Sequence, residues 1–192
     1  LKRDFPQALR SISTVWLDRL ARRPLPSAHD FVVDTLQASP DFHQSKLKAA
    51  GLHEAVLALL LSGSQKARNY ALEYARAHAT DLPQDRLADL LDTNSNEAKT
   101  FASQVLTARD PKELGLPMLG RLLSYGQTAG YAQKALMEAY DRSALSESFL
   151  SDMLYGTPGQ RSFFGQFISN KYAATELPIE NAAATGDRRT NR

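Results

Sequence analysis

The stretch Leu60-Leu61-Ser62-Gly63-Ser64-Gln65-Lys66-Ala67-Arg68-Asn69-Tyr70-Ala71-Leu72-Glu73-Tyr74 decides the fold class. Two leucines close an apolar run and a Ser-Gly-Ser turn breaks it. Ala67, Tyr70, Ala71 and Tyr74 then recur at the spacing of one helix face. A helix ends, the chain turns, and a second amphipathic helix begins.

The same order recurs downstream. Paired apolar residues close a helix at Leu60-Leu61, Leu90-Leu91, Leu122-Leu123 and Met153-Leu154, with first members 30, 32 and 31 residues apart. A short polar or glycine-containing turn follows each pair, and then a second helix. Those helices carry Ala67/Tyr70/Ala71/Tyr74, Ala98/Phe101/Ala102/Val105, Tyr131/Ala132/Ala135/Leu136 and Phe163/Phe164/Phe167/Ile168. Small alanines let neighbouring helices approach, and the larger residues fill the space between them. A lone helix pair cannot cover its apolar sides, so each needs neighbours. The expectation is an all-α protein, an α-solenoid of stacked antiparallel helix pairs over residues 1–172. A closed helical bundle is the alternative.

Upstream, Phe5, Leu9, Ile12, Trp16 and Leu20 share one helix face, and Pro24 and Pro26 stop that helix. Trp16 is therefore expected in the core, as are Tyr70 and Tyr74. Phe31, Val32 and Leu36 mark a second helix starting after Ser27, and a short helix is expected around Phe42 to Ala50. Ser39-Pro40, Asp110-Pro111 and Thr157-Pro158 read as N-caps followed by proline at the first helical position. Glu113 and Gln160 stand at capping-box spacing from Asp110 and Thr157. Gly51, Gly63, Gly126 and Gly156 punctuate the segments. Residues 173–192, with little apolar content beyond Leu177 and Ile179, read as a polar tail or linker.

Composition bounds what such a chain does. Of 192 residues 43% are hydrophobic, enough to bury a core, and net charge is only +2, well short of a dedicated nucleic-acid binder. There is no cysteine, which excludes disulfides, thiolate metal sites and cysteine nucleophiles and fits a reducing compartment such as the cytoplasm. No apolar run approaches the ~18 residues that a membrane span requires, so no membrane partner is expected. The opening Leu-Lys-Arg-Asp-Phe lacks an initiator Met and a signal segment, so the chain reads as a piece of a larger polypeptide.

The block Lys66-Ala67-Arg68-Asn69-Tyr70-Ala71-Leu72 after a leucine pair and a polar turn resembles the HEAT-repeat pattern, and Ala98-Lys99-Thr100-Phe101-Ala102 repeats it. The fourth copy keeps the basic residue as Arg161 but places Phe164 where a small residue belongs. The third, with Ala129-Gly130-Tyr131, lacks the basic residue. The resemblance covers about residues 52–172. More narrowly, the alternation of helices is similar to helical-repeat regions of large bacterial WGR-domain proteins, although no WGR triplet occurs. The resemblance implies a bacterial scaffold that presents a curved surface to another macromolecule.

Catalytic motifs are missing. His29, His43, His53 and His78 stand at no metal-ligand spacing, and His53-Glu54 is not followed by a second histidine one turn on. No serine sits in a nucleophile elbow, and Gly156 to Arg161 lacks the length and ending of a phosphate loop. Asp85, Asp89 and Asp92 share one helix side, the pattern of a solvated face or one meeting a basic partner. No enzyme, metal or cofactor is expected.

Lys66, Arg68, Lys99 and Arg161 open three of the four second helices at comparable points. Two readings follow. They form a basic ladder for nucleic-acid phosphates, as in the DNA alkylation repeat proteins. Alternatively they pair with acidic groups of the adjacent turn, for which Asp92 and Glu97 are placed. The second is favoured, because repeat three breaks the ladder. The expected function is a non-catalytic scaffold that binds another protein or another domain of its parent chain, through Arg68, Asn69, Lys99, Gln104, Arg161 and Gln166 on the second helices.

Overall fold

Helical periodicity becomes helix almost throughout. The computed structural model describes residues 12–140, 144 and 146–171, and its described residues contain helices and turns but no strand. The helices are α1 (Thr14–Ala21), α2 (Pro26–Ala38), α3 (His53–Ala58), α4 (Gln65–His78), α5 (Gln84–Leu91), α6 (Asn96–Thr107), α7 (Pro111–Leu122), α8 (Ala129–Ala139), α9 (Glu147–Tyr155) and α10 (Pro158–Lys171). The fold is all-α. Phe5, Leu9 and the 173–192 tail lie outside the described residues.

Two compact units divide the chain, one ending at Leu106 and the other beginning at Thr107. In the first, α1 packs on α2 and α3, α2 on α4, and α3 on α4. In the second, α7 packs on α8 and on α9, while α8 and α9 both pack on α10. Each of the helices named here thus touches one beside it in the chain and one two positions away.

The core follows the predicted stripes. Ala67, Tyr70, Ala71 and Tyr74 are buried, as are Ala98, Phe101, Ala102 and Val105. Ala132, Ala135 and Leu136 are buried on α8 beside a half-buried Tyr131. Only Phe163 is buried among the described side chains of the fourth set, with Phe164 and Ile168 half-buried. The apolar pairs do stand at helix ends, but not as equals: Leu61 is 54% and Leu154 44% exposed, whereas Leu122 and Leu123 are both buried.

Trp16 corrects one expectation. It is 45% exposed, and α1 buries Leu17 and Ala21 instead. The buried face is turned by one residue from the predicted stripe, toward α2 and α3. Trp16 meets Phe31 edge to face, ring centroids 5.7 Å apart at 89°.

Local signals explain the element ends. Pro26 does not end α1, which has already stopped at Ala21; it takes the first position of α2, where its missing N–H costs nothing. Ser39 does cap, but caps a 3-10 turn at Pro40–Phe42, followed by a second at Gln44–Lys46. The expected helix around Phe42 to Ala50 is thus a pair of tight turns, too short for α-helix nucleation. They end in a Schellman arrangement, with Leu52 N–H donating to Leu47 O at 2.9 Å, Gly51 N–H to Lys48 O at 3.2 Å, and Gly51 at φ +73°.

Asp110 caps α7 through Lys112 N–H at 2.7 Å. Thr157 and Gln160 form a full capping box at α10, with Thr157 N–H donating to Gln160 Oε1 at 2.7 Å and Gln160 N–H to Thr157 Oγ1 at 3.4 Å.

α7 is broken at Gly115, which takes φ +74° and ψ 165° before Pro117. Pro117 has no N–H to give to the helix ladder, and glycine at 115 takes the positive φ that the break requires. Further along α7, a Cβ on Gly120 would stand 2.9 Å from Met153 Cε and 3.1 Å from Phe149 Cε2. The missing side chain is what lets α9 approach α7.

Candidate interaction surface

The residues that open α4 and α6 are drawn into contacts with side chains of other helices of the first unit. Arg68, on the first turns of α4, has its side chain only 20% exposed. Its Nε donates to Glu97 Oε2 at 2.8 Å, one terminal nitrogen donates to Ser62 O at 2.7 Å, and the other to Gln65 Oε1. Gln65 Nε2 in turn donates to Glu97 Oε1 at 2.6 Å and to Asn69 Oδ1 at 2.8 Å. Hydrogen bonding from Gln65 holds the Glu97 carboxyl below its usual range against the opposing effect of burial, assisted by its own backbone N–H and by Arg68.

Lys66 pairs with Asp34 on α2, and Ser64 donates to Asp30 on the same helix. Of the two acids named as partners for the basic residues, Glu97 is the one that takes Arg68. Gln65 is the centre of the cluster, and sequence alone gave it no distinguishing mark.

The other candidate residues divide. Asn69, Gln104, Arg161 and Gln166 are exposed and Lys99 is half-buried. Gln104 accepts from Arg76 Nε at 3.0 Å and Gln166 from Gln133 Nε2 at 2.9 Å. Arg68, Asn69, Lys99 and Gln104 belong to the first unit, and Arg161 and Gln166 to the second.

Between elements these polar links span similar lengths of chain, from 28 residues for Arg76–Gln104 and 29 for Arg68–Glu97 to 34 for Ser64–Asp30. Lys66–Asp34, Arg86–Glu54 and Gln65–Glu97 each join residues 32 apart, and Lys48–Asp81 and Gln133–Gln166 join residues 33 apart. Ser95 Oγ adds a bond to Leu60 O at 2.6 Å while accepting from Ala98 N–H, so it both caps α6 and ties it to the turn before α4.

His29, His53 and His78 lie among packed neighbours, whereas His43 is exposed and caps a 3-10 turn. His29 is buried, with Nδ1 2.6 Å from Ser62 Oγ and Nε2 enclosed without a partner among the described residues. His53 Nδ1 lies 2.8 Å from the Tyr74 hydroxyl, and the Tyr74 ring is flanked by His53 and His78. Burial, reinforced by the nearby Glu54, raises the Tyr74 phenol. Among the described residues no three metal-ligating side chains come together, and no helix is long and apolar enough to cross a membrane. Asp85, Asp89 and Asp92 are exposed along and just beyond α5.

Two clefts open on the first unit near α4. One, of about 420 Å³, has Arg68, Gln65, Asn94, Asn96 and Glu97 on its walls, so its polar groups are largely those already bonded to one another. The other, of about 600 Å³, lies between the end of α2, the 3-10 turns and α4. A scan against protein-family models finds no match to this chain, and searches of curated proteins and of solved structures find none either.

Proposed function

We propose that this chain is a non-catalytic scaffold whose helix pairs stack as HEAT-like repeats and which binds another protein or another domain of its own polypeptide. The observation that carries the reading is the recurrence of side-chain bonds over 28 to 34 residues, close to the 30 to 32 residues that separate the apolar pairs. In a stack of repeats, equivalent positions of successive units lie side by side, so bonds between layers take the repeat as their sequence separation.

The basic ladder fits phosphate binding less well. Lys66 and Arg68 already hold Asp34 and Glu97, and a phosphate would have to displace those carboxylates.

The test is fluorescence anisotropy with labelled duplex and single-stranded DNA at low and moderate salt. The expected result is no saturable binding. Micromolar binding that collapses as salt rises, and that is lost in Arg68→Glu with Arg161→Glu, would replace the scaffold reading by a nucleic-acid one. In parallel, the immobilised chain should capture a protein partner that Asn69→Arg or Gln104→Arg releases, with circular dichroism unchanged.

A further inference from the structure

The Tyr70 phenol is the outlier among the buried polar groups of α4. The residue is 6% exposed, yet its hydroxyl has no hydrogen-bond partner among the described residues. Buried hydroxyls are normally satisfied, and one left unmade costs more than a bond gains. Among the described residues only His29 Nε2 is both fully enclosed and unsatisfied, so the Tyr70 hydroxyl keeps a path to solvent. The cleft of about 600 Å³, which Tyr70 lines, is that path.

Its chemistry is specific. Leu36, Pro40 and Phe42 supply apolar walls, and Glu73, one turn beyond Tyr70 on α4, stands at the rim. Glu73 is exposed and has no ion-pair partner among the described residues. No lysine or arginine lines the cleft. The formal charge there is negative, which disfavours a phosphate or carboxylate and favours a cation. Burial, with help from Tyr74 and Glu73, pushes the Tyr70 phenol up to about 12, so it stays protonated as a donor.

We propose that this cleft is a peptide-docking site for a short segment carrying an aliphatic side chain next to a lysine or arginine. The aliphatic group fills the space between Leu36, Pro40 and Phe42. A main-chain carbonyl accepts from the Tyr70 hydroxyl, and the basic side chain pairs with Glu73. The volume falls within the ~300–1,000 Å³ of ordinary ligand sites. The proposal rests on the protein-binding scaffold reading and assigns it a site and a partner chemistry.

A random-peptide phage library panned on the full chain tests it. Enriched peptides are then synthesised and titrated against the native chain and against Tyr70→Phe, Glu73→Gln and Glu73→Lys, each checked by circular dichroism. Tyr70→Phe keeps the buried ring, and Glu73 is exposed, so the variants fold. Enrichment of aliphatic–basic pairs is expected, with affinity falling ~3–10-fold in Tyr70→Phe and at least about tenfold in Glu73→Lys. Asp85→Lys, on a different helix, leaves it unchanged.

Acidic peptides, or no enrichment, overturn the site. Enriched peptides that bind all three variants as tightly as the native chain overturn the cleft while leaving the scaffold reading intact. A partner captured by the immobilised chain in the absence of any peptide binding separates the two in the same way.

Discussion

Arg68 and Glu97 meet with side chains only 20% and 15% exposed, which sets this pair apart from the other ion pairs between helices. Removing one partner leaves the other's hydrogen-bonding groups unpaired, so Arg68→Ala should cost ~1–2 kcal/mol by urea unfolding. Glu54 and Asp81 are also held below their ordinary values, Glu54 chiefly by hydrogen bonding to Arg86, Asp81 chiefly by its own backbone N–H and then by Lys48. A depressed folded pKa gives stability that is present above the unfolded value and is lost as pH falls through the folded one. Acid titration should therefore lower the melting temperature below about pH 4, and less steeply in Glu97→Gln.

Tyr70 works in the opposite direction. Its raised phenol stabilises the fold below an unfolded value of about 10, and that contribution is lost as pH rises toward about 12. Tyr70→Phe should flatten the alkaline limb of the stability curve. At this scale the sequence showed that a basic residue opens the second helix and named Glu97 as a partner. It did not single out Gln65, because a glutamine's role depends on what surrounds its amide.

Caps and close approaches act on whole elements. Thr157→Ala opens the capping box of α10 and should lower stability by ~1 kcal/mol, or about 2–4 °C in melting temperature. Gln160→Ala should cost more, since its Nε2 also donates to Gly120 O at 2.7 Å. Gly120→Val would press its branches on Phe149 and Met153 and should cost ~1–3 kcal/mol. Gly120→Ala should cost less, because the nearest atom is the flexible end of Met153 and alanine favours helix.

Three caps were legible from a Ser, Asp or Thr before proline. The caps at Ser64, Ser95 and Ser146, which lack the proline, were not. The break at Gly115 leaves no mark on the apolar spacing, since Leu114, Met118 and Leu122 continue through it. At the start of α8, where no basic residue stands, Thr128 is fully buried and donates to Leu122 O at 2.8 Å.

Across the molecule, ion pairs are numerous but mostly wet. Lys48–Asp81, Lys66–Asp34 and Arg86–Glu54 each have at least one partner side chain about half exposed or more. Exposed pairs are screened and contribute little, so molar sodium chloride should leave the melting temperature nearly unchanged. A large drop would mean that these pairs, not the apolar stripes, hold the helices together.

The single tryptophan offers a check on the corrected face of α1: emission should be red-shifted and readily quenched by acrylamide, as for a solvated indole. The sequence by itself determined that the chain is helical, where α7 and α10 start, which apolar pairs stand at helix ends, and which faces of α4, α6 and α8 are buried. Those properties depend on residues three or four apart and on side chains beside the turn. Tertiary structure alone decided which face of α1 is covered, that Gln65 bridges Arg68 and Glu97, and that the Tyr70 hydroxyl is left unpaired on a cleft. Each of these turns on groups far apart in the chain, 32 residues for Gln65 and Glu97 and 34 for Leu36 and Tyr70, beyond the reach of local periodicity.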